Sequence, residues 1–168
     1  MDFSNTHEVN SWLTHQSAML RKAQSLVNSG TKIGKGILEL EKVVQDYVQK
    51  ANEGTIFQVV FGFENIVFNA QEVLAAAYVK QGRYDDAILL HRYVAETVQS
   101  ILRNRPRNKE SLKDIRNNDI DHLVKAAEFL VHFSRVMSAQ GNREPASQLL
   151  NEAIGLSNSW HLEIKHPS

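Results

Sequence analysis

A chain of 168 residues with 19 basic and 19 acidic side chains is the size of one domain and carries no net charge to hold nucleic acid or an anionic membrane surface. The absence of cysteine excludes disulfide frameworks, thiolate zinc sites and cysteine nucleophiles, and it fits an intracellular protein. No basic-then-apolar leader opens the chain and no apolar run reaches about 18 residues, so a cytoplasmic protein is expected. Three prolines and almost no strict alternation predict an all-α fold of six main helices.

Asn5, with Glu8 three residues on, reads as a cap for the first helix. Val9, Trp12, Leu13, Leu20, Ala23, Leu26 and Val27 then recur at three- and four-residue steps up to Ser29-Gly30. Beyond a glycine-rich turn, Ile33, Ile37, Leu40, Val44 and Tyr47 predict a second helix, closed by Gly54. Residues 55–81 are long and apolar, with Ile56, Phe57, Val59, Val60, Phe61, Phe63, Ile66, Val67 and Phe68, which predicts a helix covered on more than one side. Gly82 introduces a fourth helix with a stripe of Tyr84, Ala87, Ile88, His91, Val94, Ala95, Val98, Ile101 and Leu102. Periodicity stops over 104–118, around a basic cluster of Arg103, Arg105, Arg107 and Lys109. A fifth helix is expected from Asp119 to Gly141, with Leu123, Ala127, Leu130 and Val131 on its apolar face. Pro145 suits the first turn of a sixth, whose Ala146, Leu149, Leu150, Ala153 and Ile154 face one way. Trp160, Leu162 and Ile164 in the tail are expected to cap the end of the array, as the first helix caps the other.

The most distinctive pattern lies between Leu74 and Ile88. Ala75 and Ala87 are small, Tyr78 and Tyr84 fill the space beside them, and Gly82 sits where the chain must leave a helix in the left-handed conformation. Phe133, Ser134, Met137, Gly141, Ala146, Leu150 and Ala153 fall in the places of Leu74, Ala75, Tyr78, Gly82, Ala87, His91 and Val94. With Gly30 in the turn position and two extra residues, Gly36, Leu40 and Val43 take the places of Ala87, His91 and Val94. This pattern resembles the tetratricopeptide repeat, although Gly82 and Gly141 lie further apart than its period of about 34 residues.

The resemblance implies a single domain of about three antiparallel helical hairpins stacked into a right-handed superhelix. Residues 5–53 would form a degenerate hairpin, 55–103 the best match, 104–118 a basic linker, 119–157 the second match and 158–168 a tail. It implies a non-catalytic adaptor that binds a peptide or helix of another protein in a concave groove lined by the first helix of each hairpin. Carried over by position, Asn69, Glu72, Val73, Ala76 and Lys80 face that groove, with Glu128, Val131, His132, Arg135 and Ser138. Of the Lys, Asn and Arg set that clamps a C-terminal carboxylate in part of the family, Lys80 and Arg135 remain. An ordinary solvated helix face would show the same polar residues, and an irregular six-helix bundle without a groove the same hydrophobic pattern.

Other chemistry finds little footing. The 30–36 stretch has glycines and Lys35, but its spacing departs from that of a phosphate-binding loop and it follows a helix where a strand is needed. The seven histidines do not adopt the paired Glu-x-x-His spacing of a di-iron bundle. Asp119 with His122, and Glu128 with His132, read as surface pairs or helix-start interactions, His91 as a core or interface residue, and His161, Glu163 and His166 as a mobile tail. No serine elbow is present, so no catalytic residue, metal or cofactor is expected. Two alternatives to the adaptor stay open. One is a homodimeric structural subunit using Phe57, Phe61 and Phe63, a cluster that could equally be core. The other is a regulator touching nucleic acid through Arg103, Arg105, Arg107 and Lys109, with the weak, salt-sensitive affinity of four charges.

Overall fold

The computed structural model describes residues 6–53, 63–104 and 113–164, and among them every regular element is an α-helix. The six helices are α1 (Thr6–Asn28), α2 (Ile33–Glu53), α3 (Phe63–Lys80), α4 (Tyr84–Asn104), α5 (Lys113–Ala139) and α6 (Arg143–Trp160). The expected all-α class and helix number are therefore observed. No helix among the described residues is long and apolar enough to cross a membrane. By its internal contacts the chain divides into two compact units, Met1–Leu90 and His91–Ser168, and the division falls inside α4.

In the first unit α2 packs on both α1 and α3, which touch each other less extensively. One end of this core is aromatic. Trp12 of α1 meets the Tyr47 ring of α2 edge-on at 5.6 Å, and Phe63 of α3 lies 5.9 Å from Tyr47 and 6.3 Å from Trp12. Burying each such ring contributes about 1.5–3 kcal/mol, and edge-to-face contacts add to it. Phe63 and Phe68 are both interior. Of the two roles open to the aromatic cluster, these two rings belong to the core; Phe57 and Phe61 lie outside the described residues. Burial of Tyr47 pushes its phenol above the ordinary tyrosine range, because the phenolate would lose its hydration there.

In the second unit α5 and α6 pack along their lengths. Leu123, Ala127 and Leu130 of α5 and Leu149 and Ala153 of α6 are buried, as are Val94, Val98 and Leu102 of α4. His91 stacks on Phe129 at 4.0 Å with the rings 27° apart, and Phe129 continues to Phe133 at 4.5 Å, so His91 is the core residue that its stripe suggested.

Three turns share one device. Gly30, Gly82 and Gly141 have φ of 76°, 79° and 86°, where a side chain would be strained. After α3, Arg83 N–H donates to the Tyr78 carbonyl at 2.8 Å and Gly82 N–H to Val79 at 3.0 Å; after α5, Asn142 N–H donates to Met137 at 2.9 Å and Gly141 N–H to Ser138 at 3.0 Å. Both ends thus make the same pair of nested bonds, which satisfy the last carbonyls of the helix. After α1, Gly30 N–H donates to Val27 and the Ser29 hydroxyl to Leu26 at 2.7 Å, so a side chain serves the carbonyl that the main chain serves elsewhere.

Small residues flank each turn in register. Ala23, Ala75 and Ser134 precede their glycines by the same interval, and Gly36, Ala87 and Ala146 follow on the next helix, all six of them buried. A Cβ on Gly36 would lie 2.7 Å from Val27 Cγ2 and 2.9 Å from the Ala23 carbonyl oxygen, so α2 rests on the backbone of α1. At the third turn the buried Ser134 hydroxyl donates to the Ala146 carbonyl at 2.8 Å. Gly36, Ala87 and Ala146 each donate their N–H to the residue before their helix, Lys32, Arg83 and Asn142. This alignment gives the first turn one extra residue, not the two expected.

Several expectations change. Tyr84 is exposed and does not fill the space beside the turn; Tyr78 alone is buried there, under the Arg83 guanidinium at 4.4 Å. Helix α5 starts at Lys113, ahead of the expected Asp119, which is a buried residue within the helix. Asp119 and His122 are both interior, which removes the surface-pair reading. Helix α6 continues past 157 to Trp160 and ends with His161 in the left-handed conformation that glycine takes elsewhere. Leu150 and Ile154 are exposed, unlike the rest of their predicted stripe. Asn5, Gly54 and His166 lie outside the described residues.

Replacing Gly82 or Gly141 by alanine should cost about 1–2 kcal/mol through left-handed strain, and Gly36→Ala should destabilise through its close contact with α1. Gly155→Ala, on α6 in open space, should stabilise by up to about 1 kcal/mol; urea unfolding measures all four. The raised Tyr47 phenol contributes stability that is complete below its unfolded pKa of about 10 and is lost as pH rises through the higher folded value. Melting temperatures should fall on that alkaline limb, and Tyr47→Phe should flatten it.

Candidate functional site

Within the second unit, an open groove of about 560 Å³ runs between the C-terminal half of α4 and α6. Helical spacing puts Arg92, Ala95, Glu96 and Gln99 on one wall and Glu152, Gly155, Leu156 and Ser159 on the other, with Leu130 of α5 also lining it. Ala95, Gly155 and Ser159 are too small to fill the space, and that makes the hollow.

Two polar links span it. Arg92 Nε and Nη2 donate to the two carboxylate oxygens of Glu152 at 2.8 and 2.6 Å, a two-pronged pair that fixes the spacing of the helices. The bond to Glu152 raises the guanidinium pKa further, with burial opposing it, so Arg92 stays charged at any working pH. The second link is the Trp160 indole, whose Nε1 donates to Gln99 Oε1 at 3.1 Å. Arg103 Nη2 donates to the same oxygen at 3.3 Å and its guanidinium lies 5.9 Å from the Trp160 ring centre. Trp160 therefore ties the end of α6 to α4. Behind it the Ser157 hydroxyl donates to the Leu162 carbonyl at 3.1 Å and Leu162 is buried.

The groove joins residues up to about 60 positions apart in the chain, such as Arg92 and Glu152, and was not foreseen. The sequence held a signal for it: Ala95 is a small residue within the buried stripe of α4, and Gly155 and Ser159 lie beside that of α6, where a larger apolar side chain would have closed the gap.

The residues assigned to a concave face are distributed as follows. In the first unit Asn69 and Lys80 are exposed and Glu72 is half-buried on α3. Lys80 Nζ donates to Asn28 Oδ1 at 2.7 Å, so it also ties the end of α3 to the end of α1. In the second unit His132 and Arg135 are exposed on α5 and Glu128 is half-buried, with His132 edge-on to Phe133 at 5.2 Å. Val73 is half-buried, Ala76 and Ser138 are exposed, and Val131 is buried, which takes it out of any surface. Of the basic cluster, Arg103 is exposed and occupied with Gln99 and Trp160; Arg105, Arg107 and Lys109 lie outside the described residues. Among the described residues no three His, Asp or Glu side chains are placed to hold a metal ion.

Near Gly82, Tyr78 bonds the Glu41 carboxylate, and its phenol is pushed up by burial first and then by that carboxylate. Arg83, over the same ring, donates to Asp86 Oδ2 at 2.8 Å. These contacts brace the turn.

No family model, no curated protein and no solved structure matches this chain.

The two links should differ in strength. Both partners of the Arg92–Glu152 pair are more than a third exposed, so Glu152→Gln should cost less than about 1 kcal/mol, and less still in high salt. Trp160→Ala, which removes a half-buried ring together with its bond to Gln99, should cost about 2 kcal/mol or more. Denaturant unfolding at low and high salt separates them.

Proposed function

We propose that the protein is a non-catalytic adaptor built from three tetratricopeptide-like hairpins, which holds a peptide or helix of another protein. The observation that carries this reading is the threefold recurrence of one turn: a left-handed glycine with a small buried residue at a constant interval before it and another on the next helix, one residue later at the first turn than at the other two. A unit repeated in this way buries its core against its neighbours and leaves the polar faces of its first helices for recognition. On α3 these are Asn69, Glu72 and Lys80; on α5 they are Glu128, His132 and Arg135. Their mixture of charge and small neighbours suits an extended chain that is hydrogen-bonded along its length.

The groove between α4 and α6 supports a second seat for the same partner class. It is open, and its lining mixes the apolar Ala95, Leu130 and Leu156 with the polar Glu96 and Ser159. Its lining is weakly acidic, so it suits a neutral or basic segment better than a phosphate backbone.

Affinity capture from the native cell extract distinguishes the seats. Wild type is compared with a Lys80→Ala/Arg135→Ala double variant and with Gly155→Gln, which fills the groove. A partner retained by wild type and lost with the double variant supports the first-helix seat, and loss with Gly155→Gln alone moves binding to the groove. If wild type retains nothing beyond a scrambled-surface control, the adaptor reading fails.

A further inference from the structure

Polar links join α4 and α6 like the rungs of a ladder, and one rung is missing. Arg92 reaches Glu152, and two turns further on Gln99 receives the Trp160 indole, so the two helices run side by side in the same direction. Arg92, Glu96 and Gln99 share one face of α4. Glu96 stands midway between the two links, and by that register the level across from it on α6 falls at Gly155 and Leu156. Gly155 has no side chain to offer, and a Cβ there would meet nothing within 4 Å. Glu96 is exposed and makes no hydrogen bond or ion pair among the described residues. Arg92, one turn back, lies in its field but is held by both oxygens of Glu152.

We propose that the missing rung is supplied by a lysine side chain of a partner protein, its ammonium on the Glu96 carboxylate and its methylenes over Ala95, Leu130 and Leu156. This rests on the adaptor reading and gives its groove seat a chemistry. The lining selects that occupant. Arg92 and Glu152 neutralise each other, which leaves Glu96 as the uncompensated charge of the groove and complements a cation. Arg103 follows seven residues later, about 10 Å along the helix, where an exposed charge is largely screened. A purely apolar side chain would strip water from Glu96 and put nothing in its place, and an anion would be repelled. Gln99 has no capacity left for a neutral amide, since its oxygen accepts from Trp160 and Arg103 and its nitrogen donates to the Ala95 carbonyl at 3.2 Å. Lysine joins an apolar stem to a terminal cation, and its compact ammonium suits a gap one glycine wide better than a planar guanidinium does.

Nuclear magnetic resonance titration of the isotope-labelled full chain tests it, with end-blocked alanine pentapeptides that carry lysine, norleucine or glutamate at the centre. The lysine peptide should bind with a dissociation constant of about 1–10 mM and shift the amide signals of the groove residues of α4 and α6. The norleucine peptide, which keeps the stem and loses the charge, should bind about fivefold more weakly, and the glutamate peptide should cause no shift. Glu96→Gln should bind the lysine and norleucine peptides equally, whereas Glu144→Gln, at an exposed acid of α6 outside the groove lining, should keep the preference for lysine. A second readout places the cation on the protein itself. Lysine and glutamine have similar helix propensities, so Gly155→Lys should melt about 2 °C above Gly155→Gln through its pairing with Glu96, and adding Glu96→Gln should remove the difference. The proposal is overturned if wild type binds none of the peptides or all three alike, if Glu96→Gln still prefers lysine, or if Gly155→Lys melts no higher than Gly155→Gln. The adaptor reading is judged separately, by whether the wild type captures a partner from extract.

Discussion

A helix that ends on a left-handed glycine must reverse within a few residues, and the two helices can lie close only if small side chains meet where they cross. That pairing of conformation and volume recurs at Gly30, Gly82 and Gly141. At the first turn it is strictest, because Gly36 sits against the Ala23 carbonyl and leaves no room for a Cβ. At the third it is polar, with Ser134 donating to the Ala146 carbonyl across the crossing. Close helical crossings fix which residues of each helix reach the interior. The small residues of α2, α4 and α6 therefore stay in register over three turns, of which the first differs from the other two in length and in the chemistry of its cap.

The surfaces with functional interest are consequences of that register. Equivalent positions on successive second helices meet different surroundings. On α4 one flank of the stripe forms a wall of the groove, and small residues keep it open. On α6 the corresponding positions carry Leu150 and Ile154 and lie exposed. The Arg92–Glu152 pair and the Trp160–Gln99 bond then set the distance between α4 and α6. Both links are partly exposed, so their main effect is geometric: they hold two helices apart around a hollow that apolar packing would otherwise tend to close.

Charge in this molecule works locally. With basic and acidic side chains equal in number, no field extends over the whole surface. The described ion pairs join neighbouring turns or helices, as Arg83 does with Asp86 and Arg92 with Glu152. Charged side chains on these faces, such as Lys80 and Arg135, therefore act at short range.

The sequence by itself determined the all-helical class, the number of helices, the left-handed glycines and the small residues beside them. Each depends on a local property: a 3.6-residue period, a conformation that only glycine adopts at little cost, or a side chain too small to hold helices apart. It also marked His91 as interior from its place in an apolar stripe. Tertiary structure alone decided the rest, because burial depends on what lies across from a residue and not on the residue. Leu150 and Ile154 have the same pattern as Leu40 and Val44, and only the presence or absence of a covering helix separates them. The fifth helix was expected from Asp119, where the apolar period resumes, yet Asp119 is buried within a helix that begins at Lys113. The groove was hidden for the same reason: its walls come from segments far apart in the chain, and a gap between two helices is a property of their spacing that neither sequence contains.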